Sequence, residues 1–193
     1  MAAEIELKFP VAEMESLIRR AESTGFQLVT PRTFESNTLY DTADRQLRQR
    51  TELVRIRQYG ERWTLTHKRL PEHNDPTARF KTRVETETTV SDGEALAEVF
   101  TRMGYGPVFR YEKFRTEWDL EGGHLVLDET PIGVWAELEG QPEWIDAMLE
   151  KLGVDPATSS TASYGALFLE WKKQSGSAAE NLTFDEAGVV AAG

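Results

Sequence analysis

The chain has 193 residues, with 22 Lys and Arg against 33 Asp and Glu, a net charge of −11 with His neutral. At 39% hydrophobic, 28% charged and 10% aromatic, it can bury the core of one medium-sized domain, which excludes wholesale disorder and a fibrous repeat. The lack of Cys removes disulfides, thiolate nucleophiles and Cys-based zinc sites, and the acidic balance argues against nucleic acid as a main partner. No run approaches the roughly 18 apolar residues of a membrane-spanning helix, so no membrane partner is expected. The N-terminus reads Met1-Ala2-Ala3-Glu4, with no basic segment leading into an apolar one, and the expected address is cytoplasmic.

In chain order, Glu4-Ile5-Glu6-Leu7-Lys8-Phe9 alternates completely, with Glu4, Glu6 and Lys8 on one face of a strand and Ile5, Leu7 and Phe9 on the other. Val11, Met14, Leu17, Ile18 and Ala21 recur at spacings of three and four, which predicts an amphipathic helix over 11–23. Tyr40-Asp41-Thr42 reads as a strand end followed by a helix cap. Val54-Arg55-Ile56-Arg57 and Trp63-Thr64-Leu65-Thr66-His67-Lys68 alternate again, on either side of a turn at Gly60-Glu61. Residues 70–78, with two Pro and no apolar period, form the clearest loop and join two strands.

The strand over 79–89 sets Arg79, Lys81, Arg83, Glu85 and Glu87 opposite Phe80, Thr82, Val84 and Thr86. Ser91-Asp92-Gly93-Glu94 resembles a capping box and opens a helix over 91–103. Lys113, Arg115 and Glu117 share a strand face. Turns at Glu121-Gly122-Gly123 and Pro131-Ile132-Gly133 separate it from strands carrying Asp128 and then Glu137 and Glu139. Helices are expected over 142–152, with Pro142 in its first turn, and over 163–173. Residues 1–173 thus form one domain. The last twenty residues, 174–193, are rich in Gly, Ala and Ser, carry three acids and no bases, and read as a flexible tail.

Alternation of this kind arises most simply in an antiparallel sheet with one face on a core and the other in water. An ordinary solvated face mixes Thr, Ser, Gln and Lys, whereas these strands place two or three full charges on it. Closure of the sheet with charged faces inward and helices outside would gather Glu4, Glu6, Glu85, Glu87, Glu117, Asp128, Glu137 and Glu139 with Lys8, Arg55, Arg57, Lys68, Lys81, Arg83, Lys113 and Arg115. Buried charges in that number must pair, hold water or bind a charged ligand. Clustered bases suit a polyanion and clustered acids suit hard divalent cations.

Glu4-Ile5-Glu6-Leu7-Lys8 resembles the N-terminal Glu-x-Glu-x-Lys signature of the CYTH domain, also called the triphosphate tunnel metalloenzymes. That family includes class IV adenylate cyclases, thiamine triphosphatases and inorganic tripolyphosphatases. The resemblance continues, in family order, through Leu39-Tyr40-Asp41-Thr42, Val54-Arg55-Ile56-Arg57, Leu65-Thr66-His67-Lys68, Arg83-Val84-Glu85-Thr86-Glu87, Lys113-Phe114-Arg115, Leu127-Asp128, Glu137-Leu138-Glu139-Gly140 and Ser163-Tyr164. It implies an α+β, mainly β, fold: a closed eight-stranded antiparallel barrel with helices packed outside.

It also implies a small-molecule triphosphate lying along the tunnel of a monomer or homodimer. Lys8, Arg55, Arg57, Lys68, Arg83, Lys113 and Arg115 would contact phosphate, a role that suits guanidinium forks and ammonium point charges. Glu4, Glu6, Asp128, Glu137 and Glu139 would hold Mg2+ or Mn2+, with Glu85 and Glu87 as ligands or behind them. Glu4, Glu6, Lys8, Lys68 and Glu139 would carry the chemistry. His67, His73 and His124 share no spacing and read as structural or exposed, and Tyr164 reads as core packing before a tunnel-closing role.

Two reactions use such a grip. In hydrolysis water attacks the terminal phosphorus; in cyclisation the ribose 3′-hydroxyl of ATP attacks the α-phosphorus and pyrophosphate leaves. The complete pairs Glu137 and Glu139, and Glu85 and Glu87, favour a triphosphatase. An adenylate cyclase and a non-catalytic polyphosphate- or nucleotide-binding module remain alternatives, because a fold does not fix chemistry.

Overall fold

A computed structural model describes residues 3–187 apart from 74 and 76. The strands are β1 (Ala3–Pro10), β2 (Gln27–Thr42), β3 (Leu53–Tyr59), β4 (Arg62–Arg69), β5 (Lys81–Val90), β6 (Tyr105–Leu120), β7 (Gly123–Thr130) and β8 (Gly133–Gly140). The helices are α1 (Met14–Thr24), α2 (Gln46–Gln49), α3 (Gly93–Arg102), α4 (Pro142–Lys151) and α5 (Tyr164–Ser175), with one 3-10 turn at Pro156–Thr158. The strands close in the order β1-β5-β4-β3-β2-β6-β7-β8, every pairing antiparallel, and β8 returns to β1 through Glu6 opposite Glu139 and Lys8 opposite Glu137.

The alternation dictates which side faces in. Leu7 and Phe9 of β1, Leu125 and Leu127 of β7, and Ala136 and Leu138 of β8 point outward and are at most 2% exposed. They are covered by Leu17 and Ala21 of α1 and by Ile145, Met148 and Leu149 of α4. Burying a side chain of this size contributes about 1.5–3 kcal/mol, so this outer core can hold the charged faces inward. Asp41 closes the end of β2 as a cap: its carboxylate accepts from the backbone N–H groups of Thr42, Leu47 and Arg48 at 2.7, 2.9 and 3.0 Å. At α3 the cap is Asp92, which accepts from Ala95 N, rather than the expected Ser91.

The helix boundaries fall within three residues of those expected, but the expected tail does not begin at 174. Residues 174 and 175 complete α5, and the chain then lies along β6 on the stretch that β7 leaves uncovered, since β7 pairs only from Phe114 onward. Glu112 N donates to Leu182 O and Leu182 N to Arg110 O, each at 2.9 Å, and Leu182 is fully buried. A free backbone edge was available, and a polar segment with one leucine satisfied it. The final part of the expected tail, 188–193, lies outside the described residues.

Candidate active site

The inward faces enclose a cavity of about 580 Å³. Its acidic end is built from neighbouring strands: Glu4 and Glu6 project from β1, and Glu139 projects from β8 in register with Glu6. One carboxylate oxygen from each lies within 4.8 Å of the others. The backbone behind them is tightly packed, because a Cβ on Gly123 of β7 would come within 2.3 Å of the Glu139 carbonyl oxygen. Lys68 donates to Glu4 at 3.1 Å and also pairs with Glu85, while Lys81 pairs with Glu6. Glu139 has no ion-pair or hydrogen-bond partner for its carboxylate among the described residues. Burial and the neighbouring charges of Glu4, Glu137 and Glu6, offset in part by Arg115, push its carboxyl up to about 7.

The basic wall comes from β3 and β6. Arg55 donates to Tyr111 and to Thr66, each at 3.2 Å, and Arg57 donates to Glu87 at 3.3 Å. Lys113 and Arg115 are anchored on Asp128, which accepts from Lys113 Nζ at 2.8 Å, from Arg115 Nε and Nη2 at 2.7 and 2.6 Å, and from the Tyr164 hydroxyl at 2.6 Å. Glu137 pairs with Lys8 and with Arg115 at 2.9 Å, and although burial opposes its ionisation, Lys8, Arg115 and Lys113 hold its carboxyl well below the usual range. Burial would lower Lys8, but Glu137, Glu6 and Asp128 outweigh it and raise its pKa; at Lys68, burial and Arg55 win and lower it.

Of the residues expected to act, Glu4, Glu6, Lys8, Arg55, Arg57, Lys68, Glu85, Glu87, Lys113, Arg115, Glu137 and Glu139 all line this one cavity. Two do not. Arg83 sits opposite Glu4 in register but turns its guanidinium to the Thr82 carbonyl at 3.0 Å, away from the lining. Asp128 is fully buried behind the wall, and its four hydrogen bonds leave it as an anchor for Lys113 and Arg115 rather than an open cation ligand. Tyr164 does both jobs weighed for it: it is 8% exposed, it lines the cavity, and Lys8 Nζ lies 4.1 Å from its ring centroid.

The sequence left other site residues unmarked. Glu35 and Asn37 of β2 are buried inside the barrel, and Tyr111 meets Arg55. Asp119 is also unmarked, and it meets His124, which reads from the sequence as structural or exposed, at 2.6 Å in the cavity lining. An alternating reading of 34–41 would have aligned Glu35, Asn37 and Leu39, but Ser36 and Thr38 on the opposite face blur the contrast.

A closed antiparallel barrel with paired charges inside and an acidic trio at one end defines a tunnel-type protein for small, highly charged ligands. The CYTH domain profile matches residues 2–164, and the chain belongs to the CYTH domain family. CYTH proteins are metal-dependent enzymes acting on small-molecule triphosphates, as triphosphatases or adenylate cyclases. A Methanocaldococcus jannaschii protein provisionally named an adenylate cyclase is 25% identical over 137 residues, covering 70% of this chain and 75% of that one. Among solved structures, a Vibrio parahaemolyticus protein, also provisionally named an adenylate cyclase, superposes with a TM-score of 0.74 at 19% identity, covering 86% of this chain and 97% of its own. A Hippeastrum protein, provisionally named an adenylyl cyclase and described as having a dominant triphosphatase activity, gives 0.64 at 21% identity over 89% and 96%. Among the described residues, no helix is long and apolar enough to cross a membrane.

Proposed function

We propose that this chain hydrolyses triphosphates, inorganic or organic, with a divalent cation, Mg2+ or Mn2+, held by Glu4, Glu6 and Glu139. The observation that carries the reading is the trio itself: three carboxylates within 4.8 Å, one of them unpaired and pushed up to about 7 by its neighbours. Such a group is unfavourable alone and becomes favourable around a hard cation, whose oxygen preference it meets. The cavity surface carries seven Lys and Arg but eight Asp and Glu, so it has no net positive charge with which to draw in a polyanion. That balance makes sense when cations complete it.

A divalent cation bound at the trio supplies charge neutralisation and polarises phosphoryl oxygens. Lys8, Arg55, Arg57, Lys68, Lys113 and Arg115 grip the remaining oxygens and hold the chain of phosphates along the lumen. Glu137 and Asp128 aim Lys8, Lys113 and Arg115, Glu87 aims Arg55 and Arg57, and Glu4 and Glu85 hold Lys68. Water adds to the terminal phosphorus, its P–O bond to the bridging oxygen breaks, and phosphate and a diphosphate leave. The Hippeastrum protein's described triphosphatase activity agrees with this reading.

The names of the Methanocaldococcus and Vibrio proteins favour a second reading, in which the same grip presents ATP for cyclisation. Products distinguish the two. Tripolyphosphate and ATP are incubated with the purified chain and Mg2+ or Mn2+. Phosphate release from either substrate without cyclic AMP supports hydrolysis, cyclic AMP with stoichiometric pyrophosphate from ATP supports the cyclase, and binding without turnover of either leaves only a binding module.

A further inference from the structure

Glu35 is a buried charged side chain that this chemistry leaves without a task. It stands on β2 opposite Lys113 of β6, is 1% exposed, and takes no part in the cavity surface. Its Oε1 accepts from Asn37 Nδ2 at 2.8 Å and lies 3.4 Å from Lys113 Nζ. Its Oε2 lies 3.8 Å from Arg115 Nε and has no hydrogen-bond partner among the described residues, and the same is true of Asn37 Oδ1 and Arg55 Nε. Burial opposes its ionisation, but Lys113, Arg115, Arg57 and Arg55 together hold its carboxyl down at about 2.

Close pairing does not hold this acid. Asp128 binds both Lys113 and Arg115 at 2.6–2.8 Å, and Glu137 binds Arg115 at 2.9 Å and also Lys8, so the third negative charge beside these three cations is Glu35, and it stands off at 3.4 and 3.8 Å. A further carboxylate contributes two long ion pairs and leaves one oxygen unmatched in the interior, which carries a desolvation penalty. Its effect on the tunnel is electrostatic. It places a permanent negative charge directly behind two cations whose opposite side faces the cavity. Phosphoryl oxygens in the tunnel must compete with it for Lys113 and Arg115, and its field lowers the potential that they feel.

We propose that Glu35 limits how tightly the tunnel holds polyanions, as a positioning residue acting through Lys113 and Arg115, and thereby sets the release of phosphate products. The inference rests on the triphosphate reading of the tunnel. Loss of Glu35 strengthens anion binding, whereas loss of an ordinary structural acid would loosen the wall and weaken it.

The test compares Glu35→Gln with Glu35→Asp, measuring pyrophosphate and tripolyphosphate binding by calorimetry in Mg2+, together with KM and kcat for tripolyphosphate. Glu35→Gln is expected to bind both anions about 100-fold more tightly, the scale of one unit charge about 6 Å away at an effective dielectric constant near 20, and to lower KM without raising kcat. Glu35→Asp retains the charge and keeps affinities near those of the parent. Weaker or unchanged binding in Glu35→Gln, or identical behaviour of the two variants, overturns the proposal. Should Glu35→Gln fail to fold, Asn37→Ser serves: it removes the amide that holds Oε1, frees the carboxylate to close on Lys113 and Arg115, and weakens tripolyphosphate binding several-fold, whereas unchanged or tighter binding overturns the proposal. A parent protein that neither binds nor hydrolyses tripolyphosphate with Mg2+ or Mn2+ instead overturns the tunnel reading itself, and Glu35's role falls with it.

Discussion

Asp128 and Glu139 belong to the same barrel and have the same chemistry, yet their surroundings assign them opposite work. Asp128 accepts four hydrogen bonds and anchors two cations. Replacing it with Asn removes the charge that both cations bind most closely and leaves Lys113 only the 3.4 Å contact to Glu35, so Asp128→Asn should destabilise the fold by about 3–5 kcal/mol, read as a fall in Tm. Glu139 is unpaired, and Glu139→Gln should leave Tm without metal unchanged or raise it, while metal affinity falls and the rate drops about 10-fold or more. Glu52→Gln is the control, since Glu52 lies outside the tunnel against Arg50 and His67. Equal, small effects of Glu139→Gln and Glu52→Gln on rate would remove Glu139 from the site.

Glu139 also gives the stability a sign with pH. Its folded pKa of about 7 lies above the ordinary 4.5, so the folded state keeps a proton that the unfolded chain releases. Stability is therefore greatest below about pH 4.5 as far as this group is concerned and falls as pH rises to 7, by about 3 kcal/mol in all. Glu35 and Glu137 are shifted downward and are ionised throughout that window. Without divalent cations, Tm should drop between pH 5 and pH 8; saturating Mg2+, which selects the ionised carboxylate, should remove most of the drop. A Tm profile identical with and without Mg2+ counts against the trio as a cation site.

At the scale of elements, β1 and β8 were readable because one face is charged and the other apolar, and β5 because its charges alternate strictly with uncharged Thr and Val. The 16-residue β2 was not, because its first half is largely exposed and its inward residues Glu35, Asn37 and Leu39 share no chemistry. The acidic trio was legible as two short motifs, whereas the capture of Asp128 depends on cross-strand register and on how far Lys113 and Arg115 reach. The segment after α5 misled for a different reason. Its composition reads as a linker, and its docking depends on a vacant backbone edge of β6 that belongs to another part of the chain. Since Leu182 is fully buried there, Leu182→Ala should cost about 2–5 kcal/mol. Hydrogen exchange checks the cause: the Leu182 and Glu112 amides should be slow in the parent and fast in the variant. Fast exchange at both in the parent would return the segment to a free tail.

The molecule as a whole is an acidic body around a tunnel whose own charges nearly cancel, with eight acids against seven bases on the cavity surface and a net charge of −11 overall. Long-range attraction therefore works against a polyanion, and binding must come from short-range grips plus whatever neutralises the acidic end. A phosphoryl charge held about 5 Å from an uncompensated carboxylate is opposed by about 3 kcal/mol at an effective dielectric constant near 20. One such pair corresponds to roughly a 100-fold loss of affinity. Tripolyphosphate should accordingly bind about 100-fold more weakly in EDTA than in Mg2+, and turnover should vanish with chelation and return when the cation is restored. Calorimetry and a phosphate-release assay on the same preparation check both halves. In Glu139→Gln, one source of repulsion is gone, so the difference between EDTA and Mg2+ should narrow from both sides: better binding without metal, poorer gain with it. Undiminished hydrolysis in excess EDTA would mean that the bases act alone and that the acids at the tunnel end serve only the fold.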